Sequence, residues 1–146
     1  MADLTRYLSE FAGAIETLLE ANKVSLGLQD VWYGDQALVP RTPAVAVEPG
    51  TKDVQLNNAF RRPEADMTVY ILVYHATFRS PQDNRRDADL LAEQIEDLLN
   101  NQNQMSGLVI HSYVSRVESG YATKNNTMMR STRLTFTGLT KYQLSS

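Results

Sequence analysis

The 146-residue chain contains no cysteine and only two histidines, His75 and His111. Without cysteine there is no disulfide framework, no thiolate metal site and no cysteine nucleophile, and any redox compartment suits the chain. Two imidazoles are too few for a metal centre without carboxylates to complete it. Both lie in predicted strands, where a histidine is most simply packed or hydrogen-bonded, although on adjacent strands the two would approach each other. The seven glycines occur singly or beside turn residues, so neither a dinucleotide fingerprint nor a P-loop is present. No serine stands in a nucleophile-elbow setting, and Asp87 and Asp89 occupy helix positions that point apart. The expectation is a protein that is not an enzyme and holds no metal or cofactor.

Long apolar runs are missing too, so no membrane span is expected. Glu10, Glu16 and Glu20 interrupt what would otherwise be the apolar region of a secretion signal. These absences predict a soluble protein kept inside the cell. Length predicts one domain, residues 1–146, and a chain of this size buries about 68–70% of its unfolded surface.

Charge of one sign is scarce in particular places. The formal charge is −3, which is too small to steer the chain toward nucleic acid or membrane. From Gly120 onward there are Lys124, Arg130, Arg133 and Lys141 and no acid. Between Pro81 and Asn100, Asp83, Asp87, Asp89, Glu93, Glu96 and Asp97 face only Arg85 and Arg86. Opposite charges on different elements suit head-to-tail contacts between identical copies, which close into a ring where the rotation allows. Tyr121 among the cations invites a nucleic-acid reading, but four cations on a protein of pI 5.3 make a weak footprint.

What is present is organised around Met67 to Phe78, MTVYILVYHATF. Val69, Ile71 and Val73 point to one side, and Tyr70, Leu72, Tyr74 and Phe78 to the other. The spacing predicts a central strand of roughly 40 Å at ~3.3 Å per residue, covered on both faces by helices and by a second layer or a neighbouring subunit.

On the N-terminal side, Leu4, Leu8, Phe11, Ile15, Leu18 and Leu19 predict an amphipathic helix over 4–21 with Asp3 as its cap. Strands are expected at 28–33 and 44–48, and Pro49-Gly50 reads as a turn folding the chain back onto 52–56. Pro40 and Pro43 mark an edge or an ordered loop. Residues 57–66, with Phe60, Arg61 and Arg62, read as a loop feeding the central strand.

Beyond the centre, Ser80-Pro81 opens a helix over 81–100 whose apolar face is Ala88, Leu91, Ala92, Ile95, Leu98 and Leu99. Residues 108–117 and 132–142 follow as strands, and strand, helix, strand is the order of a βαβ crossover. The connection 118–131 greatly exceeds the two to five residues of a minimal hairpin, which predicts a β-hairpin arm. The predicted class is therefore α+β: one small domain with a mixed, mainly antiparallel sheet of about four to six strands and two main helices.

The succession DVWYGDQALVPRTPAVAVEPGTK, TVYILVYH, DADLLAEQIEDLL and GLVIHSYVSRVESGYATK resembles tail terminator, or tail-completion, proteins of tailed bacteriophages. The resemblance spans about Asp30 to Leu144. It implies a small mixed sheet flanked by helices and a homohexameric ring that caps the tail tube, ends its growth and docks the head-side connector. It implies no reaction and no cofactor, and DNA that passes without specific binding. The partners implied are further copies of the chain, the tail tube protein and a connector or head-completion protein, with a place at the head–tail junction of the virion. The same resemblance assigns subunit or tube contacts to Tyr121, Lys124, Met128, Met129 and Arg130, and less directly to Phe60, Arg61, Arg62, Tyr33 and Asp35. A head-completion adaptor or stopper on the portal side of the neck is the neighbouring expectation.

Overall fold

The computed structural model describes residues 4–57, 62–75, 81–102, 104–124 and 127–141. Its elements are α1 (Leu8–Ala21), α2 (Lys23–Leu26), β1 (Asp30–Tyr33), β2 (Ala44–Asn57), β3 (Arg62–His75), α3 (Pro81–Asn100), β4 (His111–Lys124) and β5 (Thr127–Lys141), with a 3-10 turn at Met105–Gly107. One five-stranded sheet runs in the order β1-β2-β3-β5-β4, with β1 parallel to β2 and every other pair antiparallel. The α+β class and the mainly antiparallel sheet are as the sequence predicts.

The helices lie on one face of the sheet. Period-two apolar residues on the strands, Val45, Val47, Met67, Val69, Ile71, Val73, Leu134 and Phe136, meet Phe11, Ile15 and Leu19 of α1 and Leu91, Ile95 and Leu99 of α3. Full burial of such a side chain stabilises by about 1.5–3 kcal/mol, so this face carries most of the fold. Phe11 stacks on Phe136 with ring centroids 5.6 Å apart. Gly138 makes room for that stack: a Cβ there would sit 2.6 Å from Phe11 Cζ.

The other face is covered only in part. Val39, from the connection between β1 and β2, joins Ala44, Ala46, Tyr74 and Met129 in a small cluster against which Trp32, Leu72 and Ala122 pack. Farther along, Thr68, Tyr70, Thr135 and Thr137 stand half-buried on a face that none of the described helices covers. The double cover expected for the central strand is thus complete on one side and local on the other.

Several boundaries differ from expectation. Pro49-Gly50 is not a turn; β2 continues through it, with a register shift between Pro49 and Lys52. Beyond Val47 nothing described pairs with the outer side of β2, so a proline without an N–H costs no ladder bond, and proline is tolerated at such edges and bulges. Gly50 permits the bulge, because a Cβ would meet Thr68 O at 2.7 Å. The strand expected over 28–33 is reduced to Asp30–Tyr33. Residues 62–66 extend β3 rather than forming a loop, because Pro63 to Asp66 pair with Asp53 to Leu56. Phe78 lies outside the described residues.

Helix α1 starts at Leu8, not at Leu4, because residues 4–7 are held elsewhere. Thr5 N donates to Leu108 O at 2.8 Å, and the Thr140 hydroxyl donates to Thr5 O. Thr5 Oγ1 accepts the Tyr7 N–H at 3.1 Å, near the helix entrance where the expected Asp3 cap lies outside the described residues. Between the parallel strands β3 and β4, joined through α3, lies β5. The crossover therefore skips one strand, and His75 and His111 are not neighbours: they sit opposite Arg130 and Leu139 at the two ends of β5.

No helix among the described residues is long and apolar enough to cross a membrane.

Candidate assembly interface

Strands β4 and β5 pair from His111↔Leu139 to Lys124↔Thr127, so most of the expected connection 118–131 is regular hairpin. The last β3 residue in the ladder, His75, pairs with Arg130 and so stands level with Tyr121, leaving residues 122–124 and 127–129 to project past the described end of β3. This is the predicted arm. Alternation places Val117, Ser119, Tyr121 and Thr123 on one side of it with Met128 and Arg130, continuing the side that the helices cover nearer the centre. Beyond the helices that side is bare: Val117, Tyr121 and Met128 are 45%, 64% and 69% exposed. Arg130 lies over the Tyr121 ring at 4.7 Å and donates to the Tyr121 hydroxyl at 2.8 Å and to Ser119 Oγ at 3.2 Å. Among the described residues no carboxylate lies within ion-pair distance of Arg130.

The opposite side of the arm is tied into its own subunit. Lys124 Nζ is 3.1 Å from Asp35 Oδ2 and donates to Gln36 O at 2.6 Å, while lying 5.0 Å from the centroid of the Tyr74 ring. Tyr74 donates its hydroxyl to Asp35 Oδ1 at 2.6 Å. Burial, then the Asp35 carboxylate, pushes the Tyr74 hydroxyl well above the usual tyrosine range, so it stays a donor at neutral pH. The Lys124 side chain is only 12% exposed. Asp35 N in turn donates to Glu48 Oε2 at 2.6 Å, which fixes the 34–36 turn to β2.

Nearer the centre, Glu118 on the uncovered sheet face sits 2.7 Å from Arg133 and 3.2 Å from Arg116. The hydrogen bond from Arg133 holds the Glu118 carboxyl below its usual range. Arg133 also stacks over the Tyr70 ring at 5.0 Å. These exposed pairs give the face a pattern and little stability.

At the other end of the sheet, β1 pairs with β2 only through Ala44 to Val47. From Lys52 to Asn57, past the bulge, no strand among the described residues lies beside the outer edge of β2, and Val54 and Leu56 on it are 51% and 55% exposed. Asp53 stands directly across from Asp66. Both are exposed, and like charges directly opposite on neighbouring strands destabilise the pair.

Of the residues expected to make contacts, Tyr121, Met128 and Arg130 share one exposed side of the arm. Asp35 and Lys124, expected as separate contacts, are partners of each other. Met129 is buried against Tyr74, on the side away from Met128. Tyr33 is 43% exposed at the end of β1. Phe60 and Arg61 lie outside the described residues, and Arg62 opens β3. Val54, Leu56 and Val117 were legible as strand residues but not as exposed ones, since their exposure follows from how short β1 is and where the helices end. No group of histidines and carboxylates able to hold a metal occurs among the described residues.

No family model matches the chain, and no curated protein matches it. Among solved structures, a chain of the "Virion of native gene transfer agent (GTA) particle" superposes with a TM-score of 0.57 at 17% identity. The match covers 94% of this chain and 100% of that one. The two share a fold. With nearly all of this chain and the whole of the other covered, the likeness is one of the fold rather than of a single motif.

Proposed function

We propose that the chain is a structural protein of a tailed-phage or phage-like virion, placed in the neck as a ring of six copies. The ring caps the tail tube, ends its polymerisation and presents a surface to the head-side connector; DNA passes through it without specific binding. The observation that carries this reading is the end-to-end fold likeness to a virion chain, joined to the phage-neck wording of the sequence. An arm anchored at Asp35 and bare on its Tyr121 side supports it further, since a surface of this kind serves contacts between proteins. A head-completion adaptor or stopper on the portal side is the second reading, favoured by the same fold likeness.

The test is electron microscopy of particles made when this gene carries an early stop codon. Tail termination predicts filled heads beside separate tails of uncontrolled length. Heads that lose DNA beside tails of normal length would assign the protein to the portal side. Intact particles would overturn both readings.

A further inference from the structure

We propose that subunits join edge to edge: residues 52–57 of β2 in one copy add as an antiparallel strand to the arm portion of β4, residues 117–123, in the next. The inference rests on the ring reading above and names the contact that builds it.

Among the described residues, both segments lie along outer edges of the same sheet with no further strand beside them, at opposite corners. Free edges are templates for another strand, and here each is narrowed to one stretch. On β2, Pro49 and the bulge interrupt the ladder, leaving the edge regular only from Lys52. On β4, Asn100 Oδ1 already accepts the Val114 N–H at 2.9 Å and the register shifts between Val114 and Arg116, leaving the arm.

Direction follows from topology. Successive antiparallel pairing makes β2 and β4 run opposite ways, so a rotation that carries the sheet onward with its faces preserved brings β4 against β2 of the next copy antiparallel.

The side-chain pattern then fits. Val54 and Leu56 lie on the helix-covered side of their sheet, as do Val117 and Tyr121, so joining the edges places all four exposed apolar side chains on one side of the seam. A shift of one residue would send Val54 and Leu56 to the other side. The register that sets Val54 opposite Tyr121 seats Leu56 between Tyr121 and Val117. It also brings Asp53 diagonal to Lys124, setting a cation beside the Asp53–Asp66 pair. Two residues one way leaves Val117 bare, and two residues the other way moves Asp53 beside Glu118.

The absence of native cysteine allows a direct test by disulfide crosslinking of the full chain. Val54 and Tyr121 are both exposed, so Val54→Cys and Tyr121→Cys leave the core intact. Within one chain they align with Ala65 and His75, ten positions apart on β3 and roughly 33 Å at ~3.3 Å per residue, so a bond between them must join two copies. Directly opposed residues on antiparallel strands lie within disulfide reach.

Under mild oxidation at high protein concentration, the double variant is expected to give a ladder of covalent multimers on a denaturing gel. A mixture of the two single variants should give dimers only, each single variant alone should stay uncrosslinked, and Val54→Cys with Val117→Cys, four residues off register, should lose most of the product. A folded double variant that stays monomeric on the gel would overturn the proposal. So would Val54→Cys alone crosslinking to itself, or equal yield from the off-register pair. The microscopy of stop-codon particles does not depend on this contact, so a failed crosslink beside free heads and overlong tails would remove the seam and leave the neck reading standing.

Discussion

Asp35 binds the end of the arm to the centre of the sheet: its carboxylate accepts from the Tyr74 hydroxyl at 2.6 Å and sits 3.1 Å from Lys124 Nζ. Positions 35 and 124 lie 89 residues apart in sequence, so the contact exists only once the sheet has assembled. It joins a turn, the last turn-ward stretch of β3 and the tip-ward end of β4.

Removing that carboxylate should loosen the arm without unfolding the domain. Hydrogen bonds to charged groups contribute about 1.5–3 kcal/mol, and Asp35→Ala leaves both donors without their shared acceptor. Urea denaturation should show a loss of about 2–3 kcal/mol, and hydrogen exchange should quicken at 121–124 and 127–130 before it quickens at 67–73. Unchanged exchange in the arm would show that the contact does not position it.

Tyr74 gives the same cluster a pH signature. Its raised folded-state pKa means that the unfolded chain loses the phenolic proton first, at about 10, while the folded chain keeps it. Above about pH 10 the unfolded state therefore binds fewer protons, and stability falls as pH rises. Wild-type protein should lose stability over this range more steeply than Tyr74→Phe, with the two curves parallel below about pH 9. Parallel curves throughout would place the Tyr74 hydroxyl in water.

Close packing at Gly138 predicts a small-to-large penalty. Gly138→Ala places a methyl against the Phe11 ring that stacks on Phe136, and overpacking of this kind costs about 1–3 kcal/mol. Phe11→Leu in the same chain should recover part of the loss, read as a rise in melting temperature over Gly138→Ala alone. Additive losses would mean that the two positions do not share space.

Buried and exposed positions of similar chemistry should part company. Ile71 is fully buried between the helices and the sheet, so Ile71→Asp strands a charge worth several kcal/mol and should abolish folding, read by circular dichroism. Val117→Asp, on the bare side of the arm, should leave the spectrum and the melting temperature nearly unchanged while weakening self-association in sedimentation. A folded Ile71→Asp chain would remove β3 from the core.

Arg130 separates assembly from folding in a second way. Its guanidinium has hydroxyl partners and no carboxylate among the described residues, so Arg130→Glu removes no ion pair from the monomer. Stability should fall by only about 1 kcal/mol, the scale of the exposed cation–π contact with Tyr121 that is lost, whereas self-association should fall markedly. An unchanged association constant would take this side of the arm out of the contact.

The sequence by itself determined the elements whose signal is periodic. Helix α3 runs from Pro81 to Asn100 as read, because an apolar stripe at three- and four-residue spacing has one amphipathic solution. The two-faced pattern of 67–75 likewise required a central strand, and the fold class followed from these pieces in order.

Only the tertiary structure decided the rest. Pro49-Gly50 is a turn signal in isolation, but on the bare outer edge of β2 a missing N–H and a missing Cβ serve a bulge instead. The insertion of β5 between β3 and β4 separates two histidines that sequence order would bring together. Val54 and Val117 carry the same side chain as the buried Val69, and their exposure is set by where β1 and the helices stop. Lys124 reads as a free cation until Asp35 is folded against it. Local periodicity specifies each element, whereas burial and partnership depend on which elements come to lie side by side.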